Sequence, residues 1–377
     1  MQIQSGPLPI RSVEAIPVSL PLLKPTLMGG GQKFTHSESL IVRLEAANGL
    51  IGWGEASAAP TMTGDLLPGM VAAVNRHLAP LLLGADALDY QALGERLARV
   101  IVGNTGAKAA CEIALHDLVG KHLGRSLTEM LGGPLRDAIR VMHMLGNPTQ
   151  EEDLDEALEK QRQGYRFIKL KVGVKPVAQE VELACALRDR LGADFWLCAD
   201  ANTGMSYAQA EQYVTGVRDA GLLFLEQPFR DDELAASAAL ARISPVPLCA
   251  DEALHGLQQI RDWHAAGAIA GVNLKTIKLG GIAPTMQAAR LSHSLGLAID
   301  LAAKLGETSI GTSALVHLGY TLPNLDWGIN PVSQYLADDL VRQPLRPEQG
   351  SVQLPRGPGL GVEVVESQVR RYRVALD

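Results

Sequence analysis

The amino-acid sequence predicts an α/β fold, a parallel (β/α)8 barrel preceded by a smaller α+β domain. Three observations support this. From residue 139 onward, short apolar strands alternate with amphipathic helices at a fairly regular pitch, the pattern of a parallel sheet joined by helical crossovers. The segment before residue 133 has a different rhythm, strands first and then helices. Finally, several of the predicted barrel strands turn from apolar to charged at their C-terminal ends, the side of a barrel that carries its chemistry.

The N-terminal strands are expected at residues 12–20, 39–44 and 50–55, with Asn48-Gly49 as the hairpin signal before the last. Met28-Gly29-Gly30-Gly31 separates the first two as a flexible loop. Helical spacing of apolar residues follows over 67–83, 90–102 and 107–123, and Gly132-Gly133-Pro134 ends the run. The expected domains are therefore a capping domain at 1–133 and a barrel at 134–344. A tail at 345–377 is expected to return to the capping domain. Barrel strands are predicted at 140–145, 167–172, 195–201, 222–227, 247–252, 271–277, 297–303 and 325–328. Helices are predicted between them at 151–163, 177–191, 207–220, 233–243, 257–266, 283–295 and 309–319.

Composition narrows the function classes. The 377 residues, 47% hydrophobic and 20% charged, suffice for one large core and an accessory domain. A net charge of −7 argues against nucleic acid as a partner, because phosphate binding needs a basic surface. No apolar run is long enough for a membrane span, and the N-terminus lacks the pattern of a signal peptide. Cys111, Cys185, Cys198 and Cys249 are scattered as in a reducing compartment, so the cytoplasm is the expected location.

The chemistry lies at the strand ends. In Phe167-Ile168-Lys169-Leu170-Lys171-Val172 the side chains alternate faces. If the apolar face meets the helices, Lys169 and Lys171 both enter the barrel mouth, and their mutual repulsion should depress at least one pKa. The next three strands end in Asp200-Ala201-Asn202, Glu226-Gln227-Pro228 and Asp251-Glu252. Converging carboxylates need a cation, and an all-oxygen set favours Mg2+, with Mn2+ possible, over zinc. Cys198 and Cys249 point the same way as the acids but one layer deeper, as core packing. The sixth strand offers Lys275 on a face shared with Asn273 and Ile277, with Lys278 on the other face at the loop. Lysines on strands across the barrel, with carboxylates between, suit removal of a proton next to a substrate carboxylate, the metal stabilising the enolate as charge develops.

This set of motifs, Lys169-x-Lys171, Asp200-x-Asn202, Glu226-Gln227-Pro228, Asp251-Glu252 and Lys275, resembles the enolase superfamily, and within it the muconate-lactonizing-enzyme subgroup. The likeness extends to the N-terminal Gly52-Trp53-Gly54-Glu55 and to residues 104–118 with Ala107-Lys108-Ala109-Ala110. The resemblance implies a modified TIM barrel, (β/α)7β, with an α+β cap completed by the C-terminal segment. It implies Asp200, Glu226 and Asp251 as metal ligands and Lys171 and Lys275 as the acid/base pair. Lys169 would tune Lys171 and touch the carboxylate. Asn202, Glu252 and Glu307 would lie around the substrate or behind the metal. It further implies a homo-oligomer.

The expected activity is cycloisomerisation, or racemisation or epimerisation, of a small carboxylate. The alternative is a lyase, a dehydratase acting on a β-hydroxy carboxylate or a proline derivative at the same site. More distant are a zinc-dependent barrel hydrolase, for which the nine histidines form no metal cluster, and a non-catalytic binding protein on the same scaffold. Mandelate-racemase-like relatives carry a histidine after the seventh strand, where this chain has Ala302-Ala303-Lys304. Dipeptide epimerases carry Asp-x-Asp on the eighth strand, where Asp326-Trp327-Gly328 is read here. Lys304 is expected either to reach the pocket and meet a second polar or anionic group, or to point outward in a loop. His143 is expected to be packed or substrate-facing. Residues 28–32 and 53–63 are expected to close over the substrate.

Overall fold

The computed structural model describes residues 6–28 and 32–376. The glycine triplet at 29–31, part of the expected lid, lies outside the described residues. Strands β1 (Ile10–Met28), β2 (Gln32–Ala46) and β3 (Ile51–Ser57) form an antiparallel sheet in the order β1-β2-β3. Helices α1 (Leu67–Ala73), α2 (Tyr90–Val100) and α3 (Thr105–Leu123) follow. Helix α3 lies directly on β3. A Cβ at Gly54 would stand 2.0 Å from the Ala110 carbonyl oxygen, so only glycine allows this approach. The Trp53 N–H donates to Asp117 Oδ2 on α3 at 2.8 Å, and the Leu360 N–H of the C-terminal segment donates to Asp117 Oδ1 at 2.8 Å. Helix α3 is thereby fixed on both sides.

The barrel strands are β4 (His143–Leu145), β5 (Phe167–Lys171), β6 (Trp196–Asp200), β7 (Leu225–Glu226), β8 (Leu248–Ala250), β9 (Gly271–Leu274), β10 (Ala298–Ala302) and β11 (Ile329–Asn330). They pair in parallel in sequence order, and a bridge between Val141 and Ile329 joins the two ends of the sheet. The connecting helices are α4 (Gln150–Arg162), α5 (Val177–Leu191), α6 (Tyr207–Gly216), α7 (Leu234–Ala241), α8 (Leu257–Ala265), α9 (Ile282–Ser294) and α10 (Ser309–Thr321). Thr149 and Ser206 start α4 and α6 with reciprocal capping boxes to Glu152 and Gln209. Among the described residues no such connecting helix follows β11, so the barrel is (β/α)7β rather than a regular (β/α)8. Helix α11 (Glu366–Tyr372) returns to the cap, where the Val374 N–H donates to the Pro17 carbonyl at 3.0 Å.

The alternation expected on β5 is present. Ile168, Leu170 and Val172 pack with residues of α5 and α6, while Phe167 joins Met142, Cys198, Phe224, Cys249 and Trp327 in a layer inside the barrel. Two local expectations fail. The eighth strand is not at 325–328. Pairing with β10 begins where the Trp327 N–H donates to the Ile299 carbonyl at 3.0 Å, and the strand proper is Ile329–Asn330. Asp326 thus precedes the ladder, and the residues presented at the mouth from this strand are Asn330 and Val332. Ile277 does not share the face of Lys275. The strand stops at Leu274, Thr276–Leu279 forms one helical turn, and Ile277 packs into the core of the cap. Among the described residues no helix is long and apolar enough to cross a membrane.

Candidate active site

Each candidate group is delivered by the end of a strand. Residue Lys171 closes β5, Asp200 closes β6 and Glu226 closes β7, whereas Asp251 and Lys275 come immediately after β8 and β9. Register puts these ends level, for Lys171 is opposite Asp200 and Asp200 is opposite Glu226. Together with Lys169, Asn202, Asn273 and Lys304 they line one pocket, to which Met62 is added from the cap. The pocket is small, with about 40 Å³ of open space between these side chains.

The charges interlock in pairs. Lys171 Nζ donates to Asp200 Oδ2 and Asn202 Oδ1, both at 2.6 Å. Lys169 Nζ is bonded to Glu226 Oε2 and lies 3.2 Å from Asp300 Oδ2. Asn273 Nδ2 donates to Glu226 Oε1 at 2.7 Å. Lys275 Nζ is bonded to Asp251 Oδ2, and Lys278 Nζ donates to Asp251 Oδ1 at 2.6 Å. Asn202 Nδ2 donates to Glu252 Oε1 at 3.0 Å. Asn202 and Gln227 hold left-handed backbone angles, φ 41° and 36°, strain that persists where surrounding bonds fix it. The Gln227 side chain supplies such bonds, as its Oε1 accepts from the Asp251 and Ala253 N–H groups at 2.8 and 3.2 Å.

At Lys169 the expected depression of a lysine pKa by its neighbour is not what the geometry gives. Burial works against the charge of Lys169, but Asp300, Glu226 and Asp200 outweigh it and hold the ammonium well above its ordinary range. Lys275 is likewise raised against burial, chiefly by Asp251. The carboxylates divide. Burial, then repulsion from Asp200, pushes Glu226 up to about 8. Asp251 overcomes burial through Lys275 and Lys278 and lies well below the usual range.

The outer candidates are placed as follows. Glu252 is behind Asn202, raised to about 7 by burial and then by Asp251. Glu307 does not line the pocket. It sits beneath, where Oε1 accepts from the Lys304 N–H at 3.4 Å, and burial and then Glu55 push it up to about 8. Lys304 turns into the pocket rather than outward. His143 faces the helical layer, its Nε2 2.9 Å from Glu156 Oε1 and its ring against Tyr165 and Tyr335. It is packed, not substrate-facing.

One charged residue was expected in the wrong place and another escaped the sequence reading. Lys278, expected on the opposite face, is fully buried and bonds the Asp251 and Asn273 carbonyls at 2.6 and 2.8 Å, because the helical turn after Leu274 rotates it back inward. Asp300 is buried in the middle of β10. A carboxylate inside the apolar run Ala298-Ile299-Asp300-Leu301-Ala302 was the signal that could have revealed it.

Among the described residues no three acidic, histidine or cysteine side chains close on a common point, because each acid is turned onto an ammonium. The donor set still fits a hard divalent cation. Asp200, Glu226 and Asp251 stand at the ends of adjacent strands with oxygen donors only.

A capped (β/α)7β barrel whose mouth holds buried lysines against three carboxylates has the architecture of an enzyme. Comparison with known proteins gives its family. Residues 12–132 match the mandelate racemase / muconate lactonizing enzyme N-terminal domain, and residues 152–368 match the enolase C-terminal domain-like family. A chloromuconate cycloisomerase of Cupriavidus pinatubonensis is 31% identical over 96% of this chain and 98% of its own. Muconate cycloisomerase 1 of Rhodococcus opacus is 31% identical over 97% and 98%. The structure of muconate lactonizing enzyme from Pseudomonas fluorescens with muconolactone superposes with a TM-score of 0.93 at 29% identity, covering 98% and 100% of the two chains. The chain belongs to the enolase superfamily, in its muconate-lactonizing-enzyme subgroup, and is a muconate-cycloisomerase-like enzyme.

Proposed function

We propose that this protein is a cycloisomerase of a small unsaturated dicarboxylate, acting by proton transfer at the carbon next to one carboxylate. The observation that carries the reading is the placement of Lys171 and Lys275. They come from β5 and from the end of β9, four positions apart in a ring of eight strands and so across the barrel. Both face the pocket, and the acids of β6, β7 and β8 lie along the arc between them. When held by Asp200, Glu226 and Asp251, a divalent cation, Mg2+ or Mn2+, would supply positive charge to the substrate carboxylate.

Ring closure needs one proton. An oxygen of one carboxylate adds to the double bond, forming a C–O bond, and the electron pair moves to the carbon next to the other carboxylate. The lysine proton ends on that carbon. Lys275, kept charged by Asp251, is suited to donate it. Lys169 compensates Glu226 and Asp300 from below, and Asn202 holds Lys171 in line with the pocket. The same opposed lysines also support a second reading, racemisation or epimerisation at the α-carbon, one removing and the other returning the proton. Loss of a β-hydroxyl from the same carbanion would make the enzyme a lyase.

Incubation with Mg2+ in deuterated water against muconates, chloromuconates, N-acyl amino acids, dipeptides and proline derivatives tests the reading by NMR. A lactone carrying deuterium at the α-carbon, absent with Lys275→Ala, is the expected result. Exchange without ring closure moves the assignment to racemisation, and loss of water moves it to a lyase. Turnover that survives both Lys171→Ala and Lys275→Ala overturns the proton-transfer role.

A further inference from the structure

Among the described residues Lys304 is the pocket lysine whose ammonium is bonded to no carboxylate. It follows β10, and its side chain lies between the barrel mouth and the cap, with Nζ 5.8 Å from the centroid of the Phe34 ring. Lys169, Lys171 and Lys275 each hold an acid of the site. Among the described residues Lys304 Nζ has no hydrogen-bond or ion-pair partner, and Glu307, the nearest acid in sequence, bonds its backbone N–H instead. A cation beside other cations in a desolvated pocket is costly unless something negative joins it. Burial, then Lys275 and Lys171, already draws its pKa down to about 8.

We infer that Lys304 is a specificity-determining residue that receives a second anionic group of the substrate, a carboxylate away from the one held at the acidic end of the pocket. The assignment rests on the pocket being the carboxylate site proposed above. It gives the pocket two unlike ends. Asp200, Glu226 and Asp251 form the end at β6 to β8, and Lys304 under Phe34 forms the end at β10. A substrate with one carboxylate leaves Lys304 uncompensated, whereas a diacid fills both ends. Hydrogen bonding to a charged partner in such a setting separates a diacid from its half-ester by about tenfold to a hundredfold.

The test is equilibrium binding to the Mg2+-loaded protein, by calorimetry, of succinate, glutarate, adipate and cis,cis-muconate, each beside its monomethyl ester. The wild type should prefer at least one diacid to its half-ester by about tenfold or more. Lys304→Met should lose that preference while binding the half-ester as before, and Lys304→Arg should keep most of it. A preference that survives in Lys304→Met, or a wild type that prefers none of the four diacids, overturns the assignment. A second readout does not depend on the folding of the Met variant. After reductive methylation with 13C-formaldehyde, the Lys304 dimethylamine signal, identified by its absence in Lys304→Arg, should titrate at higher pH when the preferred diacid is bound. An unmoved midpoint also overturns it. Neither measurement involves turnover. An enzyme that binds diacids through Lys304 but exchanges no α-proton would refute the proposed reaction and leave this subsite standing, and the reverse outcome would do the opposite.

Discussion

Two layers of the barrel interior lie two residues apart along the same strands, and they differ in almost every physical respect. The lower consists of Met142, Phe167, Cys198, Phe224, Cys249 and Trp327, with Phe224 stacked on Trp327 at 4.4 Å between centroids. Gly271 completes it, since a Cβ there would stand 2.2 Å from the Trp327 ring. Two residues further on, Phe167 gives way to Lys169, Cys198 to Asp200, Phe224 to Glu226 and Cys249 to Asp251. The lower layer gains its stability from removing apolar surface from water. The upper layer desolvates charges whose mutual attraction does little more than offset that cost. The upper layer is kept for chemistry and the lower for holding it in place, so substitutions in the two should fail in different ways.

The largest expected effect is on activity. Lys275→Ala should lower turnover by about 10²- to 10⁴-fold with little change in the urea midpoint, because Asp251 keeps Lys278 as a partner. Phe224→Ala should do the opposite, costing about 3–5 kcal/mol of stability by urea unfolding while residual folded enzyme keeps its KM. Lys278→Met sharpens the contrast from within the upper layer. Lys278 shares Asp251 with Lys275 but faces away from the pocket, onto two backbone carbonyls. Asp251 keeps Lys275 as a partner, so the loss of Lys278 is felt at the two carbonyls left without a donor and should cost about 1–3 kcal/mol, measured as a fall in the urea midpoint. If Lys275→Ala instead unfolded the protein and Phe224→Ala left it intact, the division of labour would be wrong. A smaller effect belongs to the acids. Glu226 is pushed up to about 8 and must lose its proton to take a cation. Mg2+ added in weak buffer at about pH 7 should therefore expel about one proton, fewer as the pH rises past Glu226, and none from Glu226→Gln.

How much of this was legible in the sequence follows from the same two layers. Alternation on a strand is a local property, so Lys169 and Lys171 facing inward, and the acids at the ends of β6 to β8, could be read directly. So could Cys198 and Cys249 as packing below them. What failed was whatever depended on where a strand stops. The helical turn at Thr276–Leu279 brings Lys278 to Asp251 and sends Ile277 to the cap, and nothing in Asn273-Leu274-Lys275-Thr276 announces that turn. The eighth strand was misplaced because Leu325-Asp326-Trp327 is apolar enough to imitate one, although Trp327 is needed in the lower layer and the mouth begins at Asn330. The pKa of Lys169 was misjudged for a different reason. Its neighbour in sequence is another lysine, but the acids that set its charge, Asp300 and Glu226, come from other strands.

The smallest effect expected is also the most specific to the charged layer. Glu307 has no ion-pair partner among the described residues, and burial, then Glu55, raises it from the ordinary 4.5 to about 8. Glu55, whose carboxylate takes the Thr308 and Gly311 N–H groups at 2.9 Å, is raised to about 7 by burial. A folded-state pKa above the unfolded one contributes stability that is fully present below the unfolded value and is lost as the pH rises through the folded value. Below about pH 4.5 Glu307 is protonated in both states, whereas above about pH 8 the folded chain must bury a carboxylate that the unfolded chain leaves in water. Glu307→Gln should accordingly be close to neutral in stability at about pH 5 and more stable than the wild type at about pH 9, by roughly 1–3 kcal/mol. The cost of Phe224→Ala should be the same at both, since nothing in the lower layer gains or loses a proton in that range. Urea midpoints of the three proteins at the two pH values decide the matter. A Glu307→Gln difference that does not change with pH would mean that this carboxylate ionises without penalty, and the upper layer would then be better hydrated than its packing implies.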